Sequence, residues 1–461
     1  MSLSAVELPE LSEAGLAVYE NTLREYPAQA LVRLDVLAHN MAHLVNITAQ
    51  QAQTQGVNAP AVMGVVKADA YGHGLLPTAL AALAGGATWL GVAQAREALA
   101  LRRGGISAER VPILCWMFSA HTAPFDELIE NTIDIAVGSV HDIEAVVHAA
   151  QRVGRPARVH VQVETGFGRN GFTADQLSDA LSILQSAQSA DLIKVVGVMS
   201  HLAVADAPHD EQARDVTDMQ IANFNAMVSA MHDADIHPQI RHLANTAATL
   251  TRPDTYFELV RPGIGLYGYE PDKAMGTPSD FGLTPAMTLQ AQLGTIKDLP
   301  AGHGISYGRT YITEQDTSTA DMPVGYADGI HRSASGFNPL GSQRTSHWGG
   351  PVAVRTASGE NKVVHIAGRV CMDQSVLDLQ GNAHDMGIAE GDTVKLFGPG
   401  RGAVFGEPTA DDWARCADTI SYEIFTCLRN RIPRLYFGAR QVLNDQDCAL
   451  IEATLPGRIV S

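Results

Sequence analysis

AVMGVVKADAYGHG, residues 61–74, sets a short apolar run directly against a lysine and a glycine-rich turn. Comparable runs follow at TWLGVA (88–93), VPILCW (111–116), DIAVGS (134–139), RVHVQVE (158–164), VVGVMSH (195–201), IRHLAN (240–245) and YFELVRP (256–262). The first five begin about two dozen residues apart, the length of one strand plus the helix that returns from it. Between them lie segments such as AREALALRRG and HDIEAVVHAAQRVG, with apolar residues at helical spacing and a glycine near the stop. Short strands buried on both faces and alternating with helices indicate a parallel sheet. Eight such runs predict an α/β fold, a (β/α)8 TIM-like barrel, with a doubly wound sheet as the competing arrangement.

The pattern breaks at YEPDKAMGTPSDFGLTP (269–285), whose proline, glycine and aspartate make a linker. Beyond it, MTLQAQLGTIKDL, PVAVRTA, KVVHIAGRV and DTVKLFG are β-type segments separated by glycine turns, closed by a helical stretch near TISYEIFTCLRNRI. The expected organisation is an N-terminal extension (1–29), a barrel (30–275), a mainly β C-terminal domain (276–437) and an unassigned tail (438–461). No propeller-type repeat or low-complexity tract interrupts it.

The chain has 461 residues, with 32 Lys+Arg against 50 Asp+Glu, a formal net charge of −18. This acidic balance disfavours non-specific binding to nucleic acid or anionic membrane. No apolar run is long enough to span a bilayer, and MSLSAVELPELSEAG lacks a signal-peptide core. Five cysteines without a CxxC imply neither a disulfide framework nor a structural zinc site. A reduced, cytoplasmic, globular protein is expected. Lysine is scarce: Lys67 is the only one before Lys194.

In a barrel, functional side chains gather where strands end and βα loops begin. The first run ends in Lys67, with Tyr71 four residues on; the fifth leads into Thr165-Gly166-Phe167-Gly168-Arg169. The sixth ends in His201, the seventh in Asn245-Thr246 and the eighth in Arg261-Pro262-Gly263-Ile264-Gly265. A lysine, two arginines, a histidine and a glycine-rich turn on one mouth suit an anionic ligand. A lysine behind an apolar strand can be desolvated, which lowers its pKa toward the free amine that Schiff-base chemistry needs. It can equally snorkel to solvent. The glycine turn at Gly263–Gly265 leaves backbone N–H groups unobstructed for a phosphate. Two stretches, Gly263-x-Gly265-x-x-Gly268 and Gly166-x-Gly168-x-x-Gly171, match the dinucleotide fingerprint. The second lies in the fifth repeat rather than in an opening βαβ unit, with Arg169 at its centre, so a nicotinamide oxidoreductase is a minor alternative. Scattered histidines such as His209, His237 and His242 form no metal-binding pattern, and no metal is expected.

AVMGVVKADAYGHG closely resembles the pyridoxal-phosphate attachment motif of the alanine racemases. The likeness continues in family order through TGFGRNGF, GVMSHLAVAD, HLANTAA, VRPGIGLYG, GISYGRT, GYADG, GRVCMDQ and ISYEI, from about residue 30 to 437. It implies a barrel plus a β domain, a head-to-tail homodimer, and interconversion of L- and D-alanine that supplies D-alanine for peptidoglycan. A broader-specificity racemase of the same fold is the nearest rival. Carried over residue by residue, it implies that Lys67 holds pyridoxal phosphate covalently. Tyr71, Asn245, Thr246, Gly263, Ile264 and Tyr422 would surround the cofactor and its phosphate. Arg261 would face the pyridine nitrogen, with His201 close behind, and Arg169 would contact the substrate carboxylate. Tyr307 would be the second catalytic base, with Tyr326 and the Met372 backbone nearby, these three coming from the partner subunit.

Two departures stand out. Many family members read Lys-x-Asp-Thr-Gly at the fifth strand, where a carbamylated lysine positions the substrate-binding arginine. This chain reads Gln162-Val163-Glu164-Thr165-Gly166, so no carbamate can form there and Arg169 needs another partner. The stretch HRSASGFNPLGSQRTSHWGG after GYADG is expanded, and extra residues flank both ends.

Overall fold

The computed structural model describes residues 11–338 and 348–460. Residues 1–10 of the N-terminal extension and 339–347 of the expanded stretch lie outside the described residues. The chain forms two compact units. One comprises Val36–Ala70 and Leu75–Thr284; the other comprises the chain up to Asp35, Tyr71–Gly74 and the chain from Pro285.

In the first unit every expected apolar run becomes a strand: Ala61–Val65, Trp89–Gln94, Ile113–Met117, Asp134–Val137, Ala157–Gln162, Ile193–Met199, Ile240–His242 and Leu259–Val260. All neighbours pair in parallel, and the eighth strand pairs back onto the first. Backbone bonds from Glu258 N to Arg241 O (3.3 Å) and from Arg261 N to Ala244 O (2.9 Å) close the ring against the seventh. The returning helices use the expected stops. Val140–Val153 ends at Gly154 in the left-handed region (φ 72°), which glycine enters without a Cβ clash. Gly197 on the sixth strand has a different purpose. A Cβ there would lie 2.5 Å from His160 Nδ1, so its absence makes room for an imidazole inside the barrel.

The second unit is built on a ten-stranded sheet. Its β-type segments pair mainly as antiparallel neighbours, for example Pro351–Arg355 with Asn361–Ile366 and Thr317–Met322 with Ser375–Asp378. Residues 30–33, expected with the barrel, run here instead. Strand Ala28–Arg33 lies antiparallel to Met287–Gln292 and parallel to Arg434–Phe437. The tail also joins, with helix Asp445–Thr454 followed by Ile459–Val460 parallel to Arg434–Phe437. Tyr19, Leu31, Leu435, Phe437 and Val460 pack into one cluster, so apolar burial ties both chain ends to this sheet. The five cysteines are all free. Among the described residues, no helix is long and apolar enough to cross a membrane.

Candidate active site

Lys67 leaves the first barrel strand and enters an unusual turn. Ala68, Asp69, Ala70 and Tyr71 all have φ between 51° and 55°, a left-handed turn made without glycine. Such geometry costs roughly 1–2 kcal/mol per residue and persists only where surrounding contacts over-determine it. Those contacts are present. The Glu97 carboxylate accepts hydrogen bonds from Ala68 N (2.7 Å), Ala93 N (3.1 Å) and Gln94 N (3.0 Å). Ala70 N donates to Val66 O at 2.9 Å, and Leu75 N to Asp69 Oδ1 at 2.8 Å. Burial lowers the pKa of Lys67, and the Arg169 cation lowers it further against the opposing pull of Glu97. Its ammonium lies 6.0 Å from the Trp116 ring centroid. This is the desolvated amine, not the snorkelling one.

Arg261, at the end of the eighth strand, is buried. Its Nη2 donates to Ser200 O (2.7 Å) and Leu243 O (3.3 Å), and reaches His201 Nδ1 at 3.4 Å; its Nη1 reaches His242 Nδ1 at 3.0 Å. Among the described residues its partners are two carbonyls and two imidazoles, none a carboxylate. Burial and Arg169 draw its pKa down to about 9, so it remains a cation near neutrality. Burial, then Arg261, Arg169 and Lys67, push His201 down to about 3, so that imidazole is neutral. Lys67, Arg169 and Arg261 therefore all act on the small volume around His201, which favours an anionic ligand.

The loop after the fifth strand carries Arg169. Glu164 folds under it and accepts from Gly166 N (2.5 Å), Phe167 N (2.6 Å), Gly168 N (2.9 Å) and Arg169 N (3.3 Å). These are the amides that a dinucleotide pyrophosphate would require, and Glu164 occupies them, which removes the structural basis of the nicotinamide alternative. The Arg169 guanidinium stacks 4.2 Å from the Phe167 ring centroid, and Phe167 in turn meets His201 edge-on at 5.3 Å. Gln162, where a carbamylated lysine would stand, is buried and takes a 3.4 Å contact from Asn170 Nδ2. Neutral contacts and Glu164 thus hold the arginine's loop.

Replacing Glu164 with alanine should strip four backbone N–H groups of their carboxylate acceptor and destabilise the fold by about 1 kcal/mol at pH 7. Burial alone would raise the pKa of Glu164, but the N–H donors outweigh it and the net shift is downward. A depressed folded-state pKa means the contribution is full above the unfolded value of about 4.3 and is lost as pH falls through the folded value. Denaturant melts of both proteins should therefore differ at neutral pH and converge in acid.

Asn245 and Thr246 begin the short helix after the seventh strand, with the Asn245 side chain accepting from Ala248 N at 3.1 Å. The Thr246 hydroxyl accepts from Gly263 N at 2.8 Å. A Cβ on Gly265 would stand 3.0 Å from the Thr246 methyl, so glycine lets the two segments approach without displacing that side chain. Ile264 starts a buried 3-10 turn, Ile264–Tyr267. The Thr246 hydroxyl thus joins the turn at Gly263 to the start of the helix after the seventh strand.

In the second unit, Tyr71 and Tyr422 face each other with ring centroids 5.8 Å apart. Burial raises the pKa of Tyr71, which keeps it a neutral donor. Tyr307 is 71% exposed and Met372 53% exposed. Their segments are fastened together: Ser306 Oγ donates to Arg369 O (2.7 Å), Tyr326 N to Cys371 O (3.0 Å) and Ala327 N to Met372 O (2.9 Å). A Cβ on Gly325 would stand 2.4 Å from Cys371 O, so this junction also demands glycine.

A lysine with lowered pKa and a buried arginine without a carboxylate partner among the described residues stand at strand ends of the barrel, and comparison with known proteins shows the family. Residues 32–271 match the family described as "Alanine racemase, N-terminal domain", and residues 286–436 match "Alanine racemase, C-terminal domain". The chain belongs to the alanine racemase family. It is 44% identical over 416 residues to an alanine racemase of Salinispora arenicola, covering 90% of this chain and all of that one. The solved alanine racemase of Streptomyces coelicolor A3(2) is 41% identical, with a TM-score of 0.78 over 89% of this chain and 98% of that one. The alanine racemase of Bacillus anthracis, solved with bound L-Ala-P, is 31% identical, with a TM-score of 0.73 over 89% and 95%.

Sequence reasoning missed several racemase-site supports. Glu97, which holds the turn after Lys67, sits in an ordinary amphipathic helix. His242 is a buried partner of Arg261 rather than one of a set of scattered histidines. The only signal was a histidine at the end of the short strand Ile240–His242, which is ambiguous without the residue opposite.

Proposed function

We propose that this racemase interconverts L- and D-alanine with pyridoxal phosphate, in the cytoplasm, as a homodimer, and so supplies D-alanine for peptidoglycan. The observation that carries the reading is the half-buried, pKa-lowered Lys67 held on a strained turn among Arg169, Arg261 and His201. Lys67 would hold the cofactor covalently. Thr246, Gly263, Ile264, Tyr71 and Tyr422 would hold its phosphate. When bound, pyridoxal phosphate supplies an electron sink for negative charge at the substrate α-carbon.

The chain's own residues supply the rest. Racemisation needs a proton removed from one face of the α-carbon and one delivered to the other. Lys67 Nζ, whose pKa burial lowers, moves the proton on one face, and Tyr307 Oη on the opposite face. The two exchange acid and base roles with direction. Arg261, whose guanidinium keeps its proton near neutrality, would offer a hydrogen bond rather than a proton to a ring nitrogen that faces it. That restrains electron withdrawal and the side reactions a long-lived carbanion would permit. Arg169 pairs with the substrate carboxylate in a bidentate geometry that a lysine could not match. The exposure of Tyr307 and Met372, with Tyr326 fastened beside them, supports their completing the partner's site. Because Gln162 cannot carry a carbamate, racemase activity should be unchanged in rigorously bicarbonate-free buffer; restoration of lost activity by bicarbonate would refute that.

Cofactor-stripped protein supplied with pyridoxal phosphate should turn yellow. Borohydride should erase the band and leave a pyridoxyl mass on the peptide containing Lys67. Protein that stays colourless overturns the reading.

A further inference from the structure

A line of polar side chains runs through the barrel interior behind Arg261. Asp134 on the fourth strand, His160 on the fifth and His242 on the seventh are each 0% exposed. His242 Nδ1 meets Arg261 Nη1 at 3.0 Å, His242 Nε2 meets His160 Nδ1 at 2.8 Å, and His160 Nε2 meets Asp134 Oδ2 at 3.2 Å. Arg158 closes the far end with Nε to Asp134 Oδ1 (2.6 Å) and Nη2 to Oδ2 (2.9 Å). Placing this line in an otherwise apolar barrel requires Gly197, whose missing Cβ is the space that His160 occupies. Buried polar groups of this kind are costly unless every member is satisfied.

Both ends are one-way. A guanidinium only donates and an ionised carboxylate only accepts, so the hydrogens between them have one consistent arrangement. Arg261 donates to His242 Nδ1, His242 Nε2–H to His160 Nδ1, and His160 Nε2–H to Asp134. A hydrogen on His160 Nδ1 would turn the chain round and set His242 Nδ1–H against the guanidinium. Burial and the neighbouring Arg261 lower the pKa of His242, in keeping with a neutral ring. Burial alone would raise the pKa of Asp134, but the hydrogen bonds from His160 and Arg158 prevail and lower it.

We propose that Asp134 is a positioning residue for the racemisation: through His160 and His242 it fixes the lone pair that orients Arg261, while its own charge stays out of contact with the guanidinium. A carboxylate placed directly on Arg261 would neutralise the site. An apolar neighbour would leave Nη1 unpaired in the interior. Two interposed imidazoles orient the cation without discharging it, and Arg158 absorbs the charge of Asp134 at the far end. The role rests on the reading that Arg261 faces the cofactor ring.

The test uses full-length, cofactor-loaded protein labelled with 15N on its histidine rings, with signals assigned by comparison with His160→Gln. Both buried rings should appear as Nε2–H tautomers with an unprotonated Nδ1, as the geometry of the line requires. A Nδ1–H or doubly protonated ring at either position overturns the proposal. Asp134→Asn should disturb the tautomer of His242, whose ring it does not touch, and lower kcat about tenfold with little change in KM for alanine. His160→Gln, which leaves the Asp134–Arg158 pair in place, should lower kcat similarly and keeps the question open to test if Asp134→Asn fails to fold. Wild-type kcat in His160→Gln, or in a folded Asp134→Asn, overturns the role. Failure of the wild-type protein to take up pyridoxal phosphate would instead remove the function assigned to Arg261, whatever the ring signals show.

Discussion

Lys67→Ala should lower alanine racemisation by about 10³-fold or more, with the fold intact. The substitution removes the one amine at the barrel mouth whose pKa is pulled down by burial and by Arg169. It removes two functions together, the covalent hold on the cofactor and the proton transfer on one face, so no remaining side chain covers for it. The ammonium is a net burden to the folded state, because it is desolvated and faces like charge. The variant should therefore melt at or above the wild-type temperature in the absence of cofactor. Retained racemisation in Lys67→Ala would refute the assignment. A lower melting temperature would show that the lysine stabilises the turn rather than serving chemistry.

Tyr307→Phe should lower kcat by about 10³-fold in both directions, because one missing base blocks delivery to one face whichever enantiomer is supplied. Tyr307 is 71% exposed, so removing its hydroxyl leaves no cavity and the melting temperature should not move. The informative readout is exchange in D2O. With Lys67 intact, the variant should still exchange the α-hydrogen of one enantiomer, and only one, without inverting it. Exchange of both enantiomers would require a further base opposite Lys67. Mixing and reassembling Lys67→Ala with Tyr307→Phe should restore up to about a quarter of wild-type activity, since mixed dimers would contain one intact site if Tyr307 acts across the interface. No recovery from demonstrably mixed dimers would place both residues in the same subunit's site.

Much of the fold was legible because it is local. Eight apolar runs became eight strands, since a strand covered by helices on one side and packed side chains on the other has no polar face to hide. Ala28–Arg33 and Ile459–Val460 were not legible as members of the second sheet. The partners of Ala28–Arg33 lie hundreds of residues away, and Ile459–Val460 is a two-residue strand in a short tail, so no local period encodes either pairing. The site divides in the same way. Lys67, Arg169, His201, Thr246 and Arg261 stand at strand ends, where barrel geometry directs attention. Glu97, Asp134 and His160 act through the residues they hold, and their types are unremarkable until the neighbour across the sheet is known. The left-handed turn from Ala68 to Tyr71 is the extreme case, because Ala-Asp-Ala-Tyr carries no local preference for positive φ and tertiary contacts alone impose it. Gln162 was visible as a departure, but the contacts of Arg169 and its loop, Phe167 against the guanidinium and Glu164 beneath the backbone, emerge only in three dimensions.

The most direct test is the circular dichroism of L-alanine incubated with the cofactor-loaded protein. The signal should decay to zero, D-alanine should give the mirror-image decay, and both should end at an equal mixture of enantiomers. A signal that stays constant, or one that decays faster with L-serine or L-lysine than with L-alanine, would contradict an alanine racemase.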